Sequence, residues 1–315
     1  MRPDHGPTGP TRPSLRDVQA LNRVFSEAFT DRYLRDGLAG VRVPFLNPLV
    51  WRYAIEDAGD GAMVWHDADG QIAGFNMVHL SGVEGWMGPL AVRPDLQGHG
   101  LGSTMVRQGI AWLREEGARV MGLETMPRTV ENIGFYSRLG LVPGPLTITL
   151  VHDTVRGRRD AERLGEGADA ERRVEECRVL TDRLHPGVDY SRELLITREL
   201  SLGNTSLVRR AGSLAGFALW HSAPLAAGRP RDELRVLKLV AVDLEALQAV
   251  VDDVEVAAAR EQVRRVAIRC QTRYRDAYRA LMQRGYRVHW TDLRMTLHDA
   301  PEMEGQGIVM SNWEI

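Results

Sequence analysis

Leu90-Ala91-Val92-Arg93-Pro94-Asp95-Leu96-Gln97-Gly98-His99-Gly100-Leu101-Gly102-Ser103 is the stretch on which the reading of this chain turns. A strand ends at Val92, a glycine-rich turn follows, and a helix opens whose first amides have no partner within the helix. Those amides and the positive end of the helix dipole form an anion site. Glycines at 98, 100 and 102 let the backbone approach a pyrophosphate where a Cβ would obstruct it, so a diphosphate ligand is expected. Two common phosphate loops fit worse. The Walker loop ends in Gly-Lys-Ser/Thr, and this stretch has no lysine. The dinucleotide fingerprint needs glycine where Ser103 stands, and it opens a parallel alternating sheet instead of following a hairpin.

Working outward, EGWMGPLAV is the strand before the turn, and GAMVWHD and QIAGFNMVHLS flank Ala68-Asp69-Gly70 as a hairpin. The Pro- and Gly-rich start leads to a short strand. Ser14 then caps a helix in which Leu15, Val18, Leu21, Phe25 and Phe29 share one face. Pro44 and Pro48 break the chain before NPLVWRYAIED opens a second helix. After the turn come a helix from Gly102 to Glu116, the strand ARVMGLETM, the helix ENIGFYSRLG and a pair of strands ending in LTITLVHD.

Gln97, Gly100 and Gly102, preceded by Val-Arg-Pro, resemble the signature of the GNAT acyltransferase superfamily, in which Gln or Arg, two residues, Gly, one residue and then Gly or Ala follow the fourth strand. About 30 residues on, Asn132-Ile133-Gly134-Phe135-Tyr136-Ser137-Arg138-Leu139-Gly140-Leu141 is similar to a second element of that family, and Arg12-Pro13 is similar to its opening strand. The resemblance covers roughly residues 10 to 153. It implies acetyl-coenzyme A (acetyl-CoA) as cofactor, its pyrophosphate on the backbone of Gln97, Gly98, His99, Gly100, Leu101, Gly102 and Ser103, with the Gln97 side chain bracing the turn. It further implies that Leu90, Ala91 and Val92 lie along the pantetheine, with backbone groups of Leu90 and Val92 facing it and the acetyl carbonyl. Asn132 would reach the cofactor arm, and Tyr136 would act as general acid for the leaving thiolate.

The acceptor chemistry asks for a base. A primary amine with a pKa near 10.4 is neutral in about one part in a thousand at pH 7.4. Glu84 and Glu124 are the carboxylates expected nearest the cleft. The first half contains no cysteine, which leaves direct attack by the amine in a ternary complex over a cysteinyl acyl-enzyme. Trp51, Tyr53 and Phe45 lie where the family builds its acceptor pocket, although aromatic residues beside a helix also serve as core. His79 tempts as a base, but its counterpart His221 holds the same strand position in a half without the glycine turn, so a structural role is expected.

The chain has 315 residues, which fits two domains, and the second half repeats the first in order. Gly70-Gln71-Ile72-Ala73-Gly74-Phe75 parallels Gly212-Ser213-Leu214-Ala215-Gly216-Phe217, PLAV parallels LVAV up to Val242, and the end at TLVHD parallels TLHD at Asp299. The expectation is an α/β (α+β) chain of two tandem GNAT-like folds, each a mixed, mostly antiparallel splayed sheet flanked by helices. Residues 1–153 form the cofactor-binding and catalytic domain, 154–172 a charged linker, part of it open to being helical, and 173–315 a degenerate copy. The turn after Val242 has no glycine, and Leu281 stands where Tyr136 stands in the first copy. Covering the acceptor cleft, fixing orientation or making a homodimer are open roles for that copy, and GIVMSNWEI could add a strand to a neighbouring sheet.

A net charge of −2 lacks the positive field of a general nucleic-acid binder. Cys177 and Cys270 give neither a disulfide framework nor a Cys-x-x-Cys metal signature, which fits a reducing cytoplasm, and no metal is expected. No signal-peptide core or membrane-length apolar run is present, so a soluble protein with no membrane partner is expected. Acceptors that fit are small-molecule amines, antibiotics, peptide N-termini and protein lysines. A non-catalytic acyl-CoA sensor or assembly module is the rival from another class, and a nicotinamide oxidoreductase a more distant one.

Overall fold

The computed structural model describes residues 6–154 and 162–312. Strand β1 (Thr8–Thr11) precedes a capping box in which Ser14 accepts from the Arg16 amide and Asp17 accepts from that of Ser14 at 2.7 Å. Helix α1 (Val18–Arg35) then runs well beyond Phe29. Asn47 caps α2 (Pro48–Ala58), with Pro48 in the first turn, where its missing N–H is harmless. Strands β2 (Ala62–His66) and β3 (Ile72–Ser81) form the hairpin, followed by β4 (Glu84–Val92), α3 (Leu101–Glu115), β5 (Val120–Thr125) and α4 (Val130–Ser137). Alternation sets the two faces: Val64, Phe75 and Met77 pack under α1 and α2, while Met63, Trp65 and Val78 pack under α3.

Where a pair of strands was expected, the half ends in one long strand, β6 (Leu141–Asp153). Pro143 and Pro145 are tolerated because residues 141–146 are paired along one side only, to β12 (Arg287–Leu297).

The second half reuses the order of elements. Strand β7 (Glu162–Arg163), α5 (Gly167–Leu184) and α6 (Ser191–Glu199) lead into β8 (Gly203–Arg210), β9 (Ser213–His221) and β10 (Glu233–Ala241). Then come α7 (Leu244–Arg260), β11 (Arg265–Gln271), α8 (Arg275–Gln283), β12 and β13 (Ile308–Ser311). The charged stretch does not run on as a linker to Arg172. Residues 155–161 lie outside the described residues, but Glu162 and Arg163 pair with β8, Leu164 is buried, and α5 has begun by Gly167. Its charges are structural, with Glu162 on Arg209 at 2.8 Å and Arg163 on Asp253 at 2.6 Å.

All the strands form one sheet in the order β1-β2-β3-β4-β5-β12-β6-β11-β10-β9-β8-β7. The last strands of the two halves are exchanged. β12 lies between β5 and β6, and β6 continues onto β11, pairing Thr147 with Gln271 through to Asp153 with Arg265. The C-terminal segment read as able to add a strand to a neighbouring sheet stays in its own, with β13 antiparallel to Lys238–Ala241 of β10. Among the described residues no helix is long and apolar enough to cross a membrane.

Candidate active site

Strands β4 and β5 run parallel while Glu84–Met87 faces Val120–Leu123, and then they part. Gly88–Val92 stays with β3, whereas Thr125 is drawn to Leu293 of β12. His79 braces the parting. Its Nδ1 lies 2.6 Å from Asp57 and its Nε2 lies 3.0 Å from the Gly88 carbonyl. Burial pushes the Asp57 carboxyl up, but hydrogen bonding to His79 and the charges of His79 and Arg192 outweigh it and bring it down to about 2. This is the structural role expected of His79.

The Arg93 amide donates to Ala73 on β3 at 2.8 Å. Strand alternation therefore aims the amides of Leu90 and Val92 away from β3, into the gap left by β5. The Val92 carbonyl points the same way and accepts from Gln97 Nε2 at 3.0 Å, which ties the start of the glycine turn to the end of the strand. Gly98 and Gly100 have φ of +81° and +89°, and a Cβ on either would meet nothing within 4 Å. Backbone conformation, not crowding within the protein, is what demands glycine there. Among the described residues, the amides from Gly98 to Ser103 donate to no carbonyl. Arg93 clamps the turn from outside, on Asp67 at 2.8 Å and Asp95 at 2.7 Å.

The parting opens a cavity of about 520 Å³, within the range of small-ligand sites. Leu90, Ala91, Val92, Gln97, Gly102 and Asn132 line it, whereas Gly98, His99 and Gly100 are exposed and lie outside its lining. Leu101, the first residue of α3, is buried, and Ser103 is half-buried in the first turn. Asn132 Nδ2 donates to Thr125 Oγ1 at 3.5 Å. Tyr136 also lines the cavity, and burial pushes its hydroxyl up to about 12, so it keeps its proton at neutral pH.

Glu124 lines the same cavity, accepting from Thr147 Oγ1 at 2.5 Å and from Arg269 Nη2 at 2.6 Å. Arg269, on β11, donates from the same nitrogen to Asp292 on β12 at 2.7 Å, and Trp290 Nε1 donates to Asp292 at 3.2 Å. Trp290 in turn packs against Tyr33 of α1, with ring centroids 6.4 Å apart. Arg269, Trp290 and Asp292 all line the cavity, so strand exchange brings the second half into the site.

The structure does not gather every expected residue there. Glu84 sits at the far end of β4, outside the cavity lining. It is 4% exposed, burial pushes its carboxyl up, and its charged neighbours are Arg294, Glu302, Arg273 and Lys238. Trp51 is core, edge-on to Phe75 and Phe25 with its indole N–H on Asn22. Tyr53 faces the second half, edge-on to His221 at 4.8 Å. Phe45 is exposed beside the cavity without lining it, although its neighbours Pro44 and Leu46 do. The aromatic residues that do line it are Phe25, Phe29, Tyr33, Phe135, Tyr136 and Trp290. A sequence signal for the second-half contribution existed in the charges placed inside RVAIRCQ and WTDLRMTL, on strands otherwise apolar on one face.

The equivalent place in the second half is filled by the chain itself. β10 runs parallel to β11 over Glu233–Val236 and then parts from it, as β4 does from β5. There β13 pairs with the freed edge of β10, and the Asn312 backbone amide donates a hydrogen bond to the Leu237 carbonyl at 2.7 Å. At the start of α7 the Asp243 carboxylate accepts from the Ala246 amide at 2.9 Å and pairs with Arg210 at 2.7 Å. A carboxylate thus stands where an anion would bind.

Residues 20–141 match the sequence model of the acetyltransferase (GNAT) family, and the fold over the whole chain is that of tandem GNAT proteins. A Bacillus subtilis protein described as "Putative [ribosomal protein bS18]-alanine N-acetyltransferase" is 23% identical over 130 residues, covering 41% of this chain and 78% of its own. Among solved structures, a "putative acetyltransferase" from Pyrococcus horikoshii superposes with a TM-score of 0.66 at 14% identity, covering 95% of this chain and 93% of its own. A tandem GNAT protein from the clavulanic acid biosynthesis pathway gives 0.57 at 13% identity, covering 95% and 99%.

Proposed function

We propose that this chain is an acetyl-CoA-dependent N-acetyltransferase that moves an acetyl group to a primary amine by direct attack in a ternary complex. The observation that carries the reading is the continuity of one surface. The unbonded amides of Gly98–Ser103 lead along the freed edge of Leu90–Val92 to the buried hydroxyl of Tyr136 and the carboxylate of Glu124. A diphosphate fits the amides, and an amide-bearing arm fits the open strand edge in the way an added strand would. Bound acetyl-CoA would supply the thioester. Gln97 holds the turn, and Asn132 faces the arm. With acetyl-CoA bound, the Leu90 and Val92 amides would be placed to stabilise charge on the acyl oxygen. Glu124 would receive the amine proton, directly or through water, and Tyr136 would hold the proton that the leaving thiolate needs.

In this reading residues 1–153 carry cofactor and catalytic groups, and the second half is a degenerate copy with its own cofactor position closed. No metal, nucleic acid or membrane takes part. The test is Tyr136→Phe. It should bind acetyl-CoA within about twofold of wild type and lose about 100-fold in kcat, the lower range for general acid–base groups. Unchanged turnover would remove Tyr136 from the chemistry, and a protein that binds acetyl-CoA but releases no thiol with any amine would be a sensor.

A further inference from the structure

Two routes run from the C-terminal strand of the second half to the carboxylate of Glu124 in the first. On one, Gln271 Nε2 of β11 donates to the Ser311 carbonyl of β13 at 2.9 Å and to Thr147 Oγ1 of β6 at 3.4 Å. Thr147 stands opposite Gln271 in the β6–β11 register, and its hydroxyl donates to Glu124 Oε1 at 2.5 Å. On the other, Arg294 Nη2 of β12 donates to Ser311 Oγ at 3.3 Å, while Arg294 Nε lies 3.4 Å from the same Glu124 oxygen. Arg294 is set by Glu302, 2.9 Å from its Nη1, and by the Trp86 ring, whose centroid is 3.9 Å from its Cζ. Strand β13 is set in turn by Tyr274, whose hydroxyl accepts from the Val309 amide at 3.2 Å and donates to the Val309 carbonyl at 2.9 Å.

These groups are too deep to touch a substrate. Thr147, Gln271, Arg294 and Ser311 are at most 4% exposed, and all four lie outside the cavity lining to which Glu124 belongs. Polar side chains buried so completely destabilise a fold unless they are paired, and here the pairing converges on one carboxylate. Thr147 and Arg294 face its Oε1 while Arg269 holds its Oε2, so three of the roughly four lone-pair directions are taken. Engaging both oxygens fixes the plane of the group. Such fixing matters to a proton acceptor, because a misplacement of about 1 Å can cost about 100-fold in rate.

Resting on the acetyltransferase reading with Glu124 as the base, we infer that Thr147 and Gln271 are positioning residues for Glu124, and that the closed cofactor cleft of the second half holds β13 as the outer support of this bracket. The strand that fills the second cofactor position thereby helps to orient the base that serves the first. The second half contributes to the chemistry without binding a cofactor of its own.

The test follows thiol release from acetyl-CoA by the full chain, with hexylamine and an alanine-terminated hexapeptide as acceptors. Thr147→Val removes the hydroxyl at nearly constant shape, and Gln271→Met removes the donor at nearly constant length. Each should lower kcat about tenfold and leave the KM for acetyl-CoA within about twofold. Thr147→Ser, which keeps the hydroxyl, should hold kcat within about threefold of wild type. Added to Glu124→Gln, Thr147→Val should cost less than about twofold more, because the group it positions no longer acts as a base. Where Gln271→Met does not fold, the Thr147 variants decide by themselves. Unchanged kcat in Thr147→Val, or a full further tenfold loss on top of Glu124→Gln, would overturn the inference and leave the transfer chemistry standing. Wild-type turnover in Glu124→Gln alone, or no thiol release by wild type with any amine, would remove the underlying reading and this inference with it.

Discussion

Arg269 on β11 donates one guanidinium nitrogen to Glu124 on β5, 2.6 Å away and 145 residues earlier in the chain. The same nitrogen holds Asp292 at 2.7 Å. One buried cation from the second half thus fixes the carboxylate that the first half presents to the cavity. Breaking a buried pair leaves an uncompensated charge, a cost of about 3–5 kcal/mol.

Arg269→Met should accordingly lower the stability of the full chain by about that amount, read as a shift of the urea midpoint. Arg269→Lys should not fully restore it, because an ammonium on a flexible stem does not reproduce the fixed guanidinium fork. A midpoint unchanged in Arg269→Met would show that the network is structurally dispensable.

Two glutamates expected from the sequence to serve the cleft are separated by the structure, and mutation should separate them too. Glu124→Gln should lower kcat about 100-fold in a thiol-release assay. Glu84→Gln should leave kcat within about twofold, because Glu84 lies outside the cavity, in a polar cluster at the far end of β4. The reverse pattern would place the base at the wrong end of β4.

Where the halves pack together, Glu193 is 1% exposed and accepts from Ser81. Burial and the nearby Asp57 carboxylate push its carboxyl up to about 7, despite Lys238 and Arg192. The folded state then holds a proton that the unfolded state loses above its ordinary value of about 4.3. This stabilising contribution is complete at lower pH and is lost as pH rises through about 7. Glu193→Gln cannot ionise. The melting temperature of the variant minus that of wild type should therefore increase from pH 4.5 to pH 8, and a difference that stays level would refute the assignment.

How much of this was legible in the sequence depended on whether the signal was local. Val92 to Ser103 is a strand, a positive-φ turn and a helix start, each specified by its own residues, and the structure has them in that order. The duplication was legible for the same reason. The strand exchange was not, because β6 and β12 are equivalent strands, one ending in TLVHD and the other running into TLHD, and periodicity gives the face of a strand without naming its neighbour. Arg269, Trp290 and Asp292 reach the cavity only through that exchange, so motifs confined to the first half could not reveal them. Trp51 and Tyr53 were misread because aromatic residues on a helix show the same spacing whether they face a pocket or a core.

Lys238, the only lysine of the chain, illustrates the same limit. It lies 2% exposed on β10, its Nζ donating to Asn312 O at 3.1 Å and standing 5.0 Å from the Tyr190 ring. The sequence showed how rare it was and gave no sign of where it lay.

The central claim is that one cofactor site, on the first half alone, serves the whole chain. Calorimetric titration of acetyl-CoA into the full protein tests it most directly, with Gly100→Val as the control. That substitution places a β-branched residue at φ +89°, a conformation costing about 1–2 kcal/mol, and sets a side chain where the diphosphate must approach. The expected result is one acetyl-CoA per chain for wild type and about tenfold or greater loss of affinity in Gly100→Val. No binding, two equivalents per chain, or unchanged affinity in the variant would contradict the account.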